Sequence, residues 1–118
     1  MKSAERKKKF EEGLAHFNAK KFFEAHEFWE EIWLVESEPE RTFLQGLIQV
    51  TAAFHHLQRN NPLGAARLFE RALARLERYP AGFGSVSVAL LCEDIREWLR
   101  ALEMGAPPPP FGCVRITT

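Results

Sequence analysis

Two ionisable side chains, His26 and Glu30, stand four residues apart inside an aromatic stretch running from Phe22 to Trp33. Four residues is about one helical turn, so a helix here stacks one above the other on a single face. That face also carries Trp29 and Trp33. Two chemistries fit. An imidazole nitrogen and a carboxylate oxygen at this spacing can share a divalent ion. A carboxyl enclosed by aromatic rings holds its proton more readily than one in water, which suits proton transfer. The segment His26-Glu27-Phe28-Trp29-Glu30 superficially matches the zinc-protease pattern HExxH, with Glu30 in place of the second histidine. A zinc centre would take its third ligand from His56, since glutamine is a poor zinc ligand.

The element that must face this helix is the third one, expected over residues 40–59. Phe43, Leu47, Val50, Phe54 and Leu57 form one face, and Leu44, Ile48 and Thr51 cover another. Such a helix is apolar nearly all round, which marks a buried central helix. Its narrow polar stripe is Gln45, Gln49 and His56. A buried amide without a partner costs on the order of 1–3 kcal/mol, so the stripe needs partners inside the protein. The economical expectation is that it meets His26 and Glu30 in one polar cluster, with Trp29 and Trp33 as walls. That cluster reads in two ways. It is a pocket for a small ligand or a divalent metal held by His26, Glu30 and His56. Otherwise it is a network that satisfies itself and fixes helix register. His16 and His55 fall at peripheral positions and receive no role.

The remaining elements follow from periodicity and punctuation. Phe10, Leu14 and Phe17 set an apolar stripe on a first helix over 4–19, and the second helix spans 22–35. Ser37-Glu38-Pro39 separates it from the third, with Ser37 or Glu38 near the N-cap. Asn61 can cap a fourth helix over 62–79, with Pro62 at its first position. A fifth spans 86–104, ended by Gly105. The tail opens with Pro107 to Pro110 and should be extended. Its Phe111, Val114 and Ile116 are suited to docking on the bundle or on a partner. The expected fold is all-α: a single-domain bundle of about five antiparallel helices over 1–105, with tetratricopeptide-like helical hairpins and a proline-rich tail over 106–118. No repeat recurs at a fixed period of about 34 residues, which argues against a solenoid.

Composition bounds the function. The chain has 118 residues, 46% of them apolar, enough for one domain with a real core. Sixteen basic residues balance sixteen acidic ones, which argues against nucleic-acid binding. The run Arg6-Lys7-Lys8-Lys9 is flanked by Glu5, Glu11 and Glu12 and reads as a solvated helix face rather than a membrane patch. No apolar run approaches the roughly 18 residues of a membrane span, and no apolar stretch follows the basic N-terminus as in a signal peptide. Two distant cysteines, Cys92 in an apolar run and Cys113 in the tail, suggest a reduced, cytoplasmic protein with free thiols.

Several stretches together resemble the small prokaryotic family called domain of unknown function 309. They are Phe17-Asn18, Phe23-Glu24-Ala25-His26-Glu27, Glu30 and Trp33. To these add Phe43 to Gln49, Ala52-Ala53, His56, Asn61, Gly64-Ala65 and Leu68. The resemblance implies a compact all-helical domain with no established activity. It supplies a candidate site and no reaction. The expected function is therefore a binding module with a polar pocket between the second and third helices. A protein-interaction domain, acting as a homodimer or through another partner, is one alternative. It would use the hairpin surface or the proline tail. A metal-dependent hydrolase is the other.

Overall fold

The computed structural model describes residues 1–111 and Ile116. Among them are five α-helices: α1 (Ser3–Asn18), α2 (Phe22–Val35), α3 (Glu40–Gln58), α4 (Pro62–Leu76) and α5 (Val88–Met104). A short 3-10 turn, Phe83–Ser85, precedes α5. Each helix packs on the next in sequence: α1 on α2, α2 on α3, α3 on α4 and α4 on α5. This is the expected all-α bundle. The first three connections are only three or four residues long, which favours antiparallel neighbours, whereas residues 77–87 form a longer link to α5.

The expected stops operate with small differences. Asn61 caps α4 by accepting from the Gly64 backbone N–H at 3.0 Å, and Pro62 follows at the first position. At α3 the carboxylate of Glu38, not the Ser37 hydroxyl, takes the first-turn donor: Thr42 N–H lies 2.7 Å away. The Thr42 hydroxyl donates to the same carboxylate, and these two bonds hold the Glu38 carboxyl below its usual range. Gly105 ends α5 at φ 63°, the left-handed conformation that favours glycine.

Two helices are shorter than their periodicity predicts, and both differences have a tertiary cause. The fourth ends at Leu76 rather than residue 79 because Tyr79 is drawn away. Its hydroxyl donates to the Pro39 carbonyl at 2.7 Å, and its ring packs on Phe43 and Phe83. The fifth begins at Val88 rather than residue 86, because Val86 is extended and buried as a core residue.

As expected, α3 is the central helix; every residue from Glu40 to Leu57 is buried or half-buried. The α1–α2 seam depends on Trp29, which is fully buried. Its indole N–H donates to the Phe10 carbonyl at 3.1 Å, and its ring stacks on Phe10 and Phe17. The indole lies directly over Gly13, where an added Cβ would meet Nε1 at 2.3 Å. No rigid indole tolerates that approach.

The tail returns to the bundle. Phe111 packs against Phe17, Phe22 and Phe54, and Ile116 is buried. Cys113 and Val114 lie outside the described residues, whereas Cys92 is buried and burial pushes its thiol up. No helix among the described residues is long and apolar enough to cross a membrane.

The Gly13–Trp29 contact makes a direct prediction. Gly13→Ala gains helix propensity yet forces the indole aside, so a net loss of about 1–3 kcal/mol is expected in urea unfolding. A neutral or stabilising result would show that the seam has room to spare.

Candidate functional site

The buried line of α2 is Phe22, Ala25, Trp29 and Ile32, at helical spacing. His26 and Glu30 sit one step around the helix from that line. They meet as expected, His26 Nδ1 lying 3.3 Å from Glu30 Oε2. Their side chains are 35% and 46% exposed. The pair therefore occupies the rim of the α2–α3 seam rather than its interior. The expectation of a carboxyl enclosed by rings is corrected accordingly: the buried arc is centred beyond Trp29, on the side of Ala25 and Ile32.

The two tryptophans have separate duties. Trp29 faces α1 and forms the core there, so it is not a wall of a site between α2 and α3. Trp33 is half-buried under the guanidinium of Arg41, 4.1 Å from the ring centroid, and Arg41 Nε donates to the Trp33 carbonyl at 3.3 Å. This cation–π contact closes the C-terminal end of α2 against the first turn of α3.

Gln45 and Gln49 are half-buried on α3. Among the described residues no hydrogen bond joins either amide to His26, Glu30 or His56. Gln49 Oε1 and the indole nitrogen of Trp33 are buried without a protein partner. The fully paired network expected from the two stripes is thus not formed.

His56 belongs to a different construction. Its Nδ1 lies 3.0 Å from Asn61 Nδ2. Because Asn61 Oδ1 already accepts from Gly64 N–H, its amide nitrogen must be the donor, and His56 Nδ1 the acceptor. A neutral His56 then carries its proton on Nε2. The relay His56–Asn61–Gly64 joins the end of α3 to the start of α4. An added Cβ at residue 64 would meet Asn61 Nδ2 at 2.5 Å, so glycine leaves room for the capping amide. The triad His26, Glu30 and His56 proposed for a metal is not assembled. Among the described residues no three His, Cys, Asp or Glu side chains converge as a ligand set. His26 and Glu30 offer two donors for a cation, one short of the three protein ligands of a catalytic zinc.

The histidine that accompanies His26 is His55. Phe22, Phe23, His26, Ala52 and His55 line a cleft of about 210 Å³ between α2 and α3. The Phe23 ring, tilted at 6.1 Å from His55, forms its outer lip and is 56% exposed. Residues 55 and 56 point to different sides of α3, and only the position of α2 decides which one serves the cleft. A larger hollow of about 510 Å³ lies between α1 and the Gly84–Ser85 turn. Its cations are matched by carboxylates: Arg6 pairs with Glu36, and Lys7 lies 4.0 Å from Glu11.

Comparison with known proteins places this region in context. A family model described as "Domain of unknown function (DUF309)" matches residues 10–68, half of the chain. That span holds the cleft, the His26–Glu30 pair and the His56–Asn61 relay. Over 93 residues the chain is 30% identical to an uncharacterised protein of Aquifex aeolicus (strain VF5). The match takes in 78% of this chain and 28% of that relative, so the chain spans well under a third of the relative's length. No solved structure gives a significant match.

The two histidines should behave differently under mutation. Asn61→Ala is expected to cost about 1 kcal/mol as a lost cap, with His56→Ala less costly and strongly non-additive with it. His26→Ala should cost less than about 1 kcal/mol, as for an exposed ion pair. A double-mutant cycle by chemical denaturation checks all three, and additive losses at residues 56 and 61 would break the relay assignment.

Proposed function

The chain belongs to the family described as domain of unknown function 309, and from that premise we propose that it is a binding module whose contact surface is the α2–α3 cleft. The observation that carries this reading is Phe23. A large aromatic ring more than half exposed at the lip of a carbon-lined cleft offers a ligand apolar surface to cover. The cleft wall is carbon-rich, and one edge leads through His26 to the Glu30 carboxylate. That combination suits a small aromatic or aliphatic group bearing a cation. The apolar part lies between Phe22, Phe23 and Ala52. The positive charge is attracted to Glu30 and to the face of Phe23.

Phenethylamine is the probe of this chemistry, titrated into the protein at millimolar concentration and followed by 1H–15N NMR. Shift changes should centre on Phe23, His26, Ala52 and His55. Phe23→Ala and Glu30→Gln should each weaken binding about fivefold, near 1 kcal/mol. The uncharged 2-phenylethanol should bind less well. Shifts scattered over the surface, or none, would remove the cleft as a ligand site.

A second reading, the protein-interaction domain, is favoured by the outer edge of α2. Leu34 and Val35 are 64% and 62% exposed, and Phe23 lies three turns back from Leu34 along the same edge. An edge with exposed apolar side chains at both ends, and Glu27 and Glu30 between them, fits a second copy of the chain. Sedimentation should then show concentration-dependent dimerisation that Leu34→Glu abolishes; a strictly monomeric protein would leave only the small-ligand reading.

A further inference from the structure

The tail and the cleft share a residue. Phe111 is seated in an aromatic slot at the α1–α2 turn, with ring centroids 5.7 Å from Phe17, 5.5 Å from Phe22 and 5.3 Å from Phe54. The Lys20 ammonium lies over its ring at 5.3 Å. Phe22 is the ring between the slot and the cleft. It stacks on Phe54 at 5.2 Å, meets Phe17 edge-on, meets Phe111 edge-on, and is also a wall of the cleft. Phe22 is 3% exposed, so its orientation is decided by these neighbours and not by solvent.

Among the described residues, the segment that carries Phe111 buries few of its side chains on the bundle. Gly105 closes α5, and Ala106 N–H returns to the Ala101 carbonyl at 2.9 Å, so the helix is complete before the prolines begin. Ala106, Pro107, Pro108 and Pro110 are exposed, and the anchors are Phe111 and Ile116. The proline run is stiff and extended, which keeps Phe111 close to its seat while allowing it to leave without unravelling α5.

We propose that the tail is a strap that holds the α2–α3 cleft in its binding form, with Phe111 acting as a positioning residue through Phe22. The inference rests on the cleft reading above. With Phe111 seated, Phe22 is boxed between Phe111, Phe17 and Phe54 and presents a fixed wall to the cleft. With Phe111 gone, a ring-sized gap opens beside Phe22. The neighbours of such a gap relax part of the way into it, and Phe22, the ring beside it, shifts towards it and away from the cleft. Coupling between two sites is reciprocal, so a ligand that needs the Phe22 wall also tightens the strap by the same factor.

The test uses the full chain with Phe111→Ala, and Phe111→Leu as a variant that keeps apolar bulk without the ring. Helical circular dichroism and a cooperative melt establish that each is folded. Without ligand, the amide signals of Phe23, His26, Ala52 and His55 should move in Phe111→Ala and move less in Phe111→Leu. Phenethylamine affinity should fall by about fivefold or more in Phe111→Ala, the lower end of typical coupling. In the wild type, phenethylamine should slow amide hydrogen exchange at Phe111. A folded variant with unchanged cleft signals overturns the strap, whatever the protein binds. If the alanine variant does not fold, unchanged cleft signals in Phe111→Leu overturn it equally. Cleft signals that respond to residue 111 in a protein that binds no phenethylamine support the strap and overturn the ligand reading instead.

Discussion

The position of one indole decides how this bundle presents its polar residues. Trp29 is fully buried against Gly13, with its N–H on the Phe10 carbonyl and its ring stacked on Phe10 and Phe17. A side chain of that size has one low-energy place to go in a close-packed interior. Placing it fixes the rotation of α2 about its own axis. Once Trp29, Ala25 and Ile32 face inward, His26 and Glu30 must lie at the edge of the seam. The exposure of that pair is thus a consequence of packing between α1 and α2, although α1 supplies no residue to the cleft. Water at the edge also limits what the His26–Glu30 contact contributes to stability.

The second fixed point is the α3–α4 corner. His56 accepts from the Asn61 amide, whose oxygen accepts from Gly64 N–H. A polar side chain at the end of a buried helix has found a partner five residues along its own chain instead of across the bundle. The imidazole is therefore engaged in ordering a helix start, and the cleft receives the neighbouring His55. The physical difference between the two residues is about 100° of helix rotation. The third fixed point is the aromatic slot. There the first residue of α2, the last turn of α1, the C-terminal part of α3 and the tail converge on Phe22, Phe17, Phe54 and Phe111. Phe22 belongs both to that slot and to the lining of the cleft.

Family membership fits this division of labour. The stretch matched by the family model, residues 10–68, begins at the Phe10 carbonyl that receives the Trp29 indole and ends within α4. It contains the seam, the cleft and the corner relay, but not α5 or the tail. The tail lies beyond residues 10–68.

What the sequence determined by itself is local and periodic. Apolar spacing and the punctuation at Pro39, Asn61-Pro62 and Gly105 set five helices, their order and the burial of α3, because these depend on short-range sterics and on the period of a helix. The meeting of His26 with Glu30 was legible for the same reason, since four residues along a helix are neighbours whatever lies around it. The tertiary structure decided the rest. Whether the pair lies inside or at the rim depends on how α2 is rotated, which Trp29 and Gly13 settle through a contact between two helices. Which histidine serves the cleft depends on where α2 crosses α3, and no periodicity distinguishes residue 55 from 56. The shortened end of α4 depends on Tyr79 reaching Pro39 across the bundle. The seat of Phe111 depends on three rings brought together from three helices. Each of these is a long-range choice among local arrangements that the chain alone leaves nearly equal.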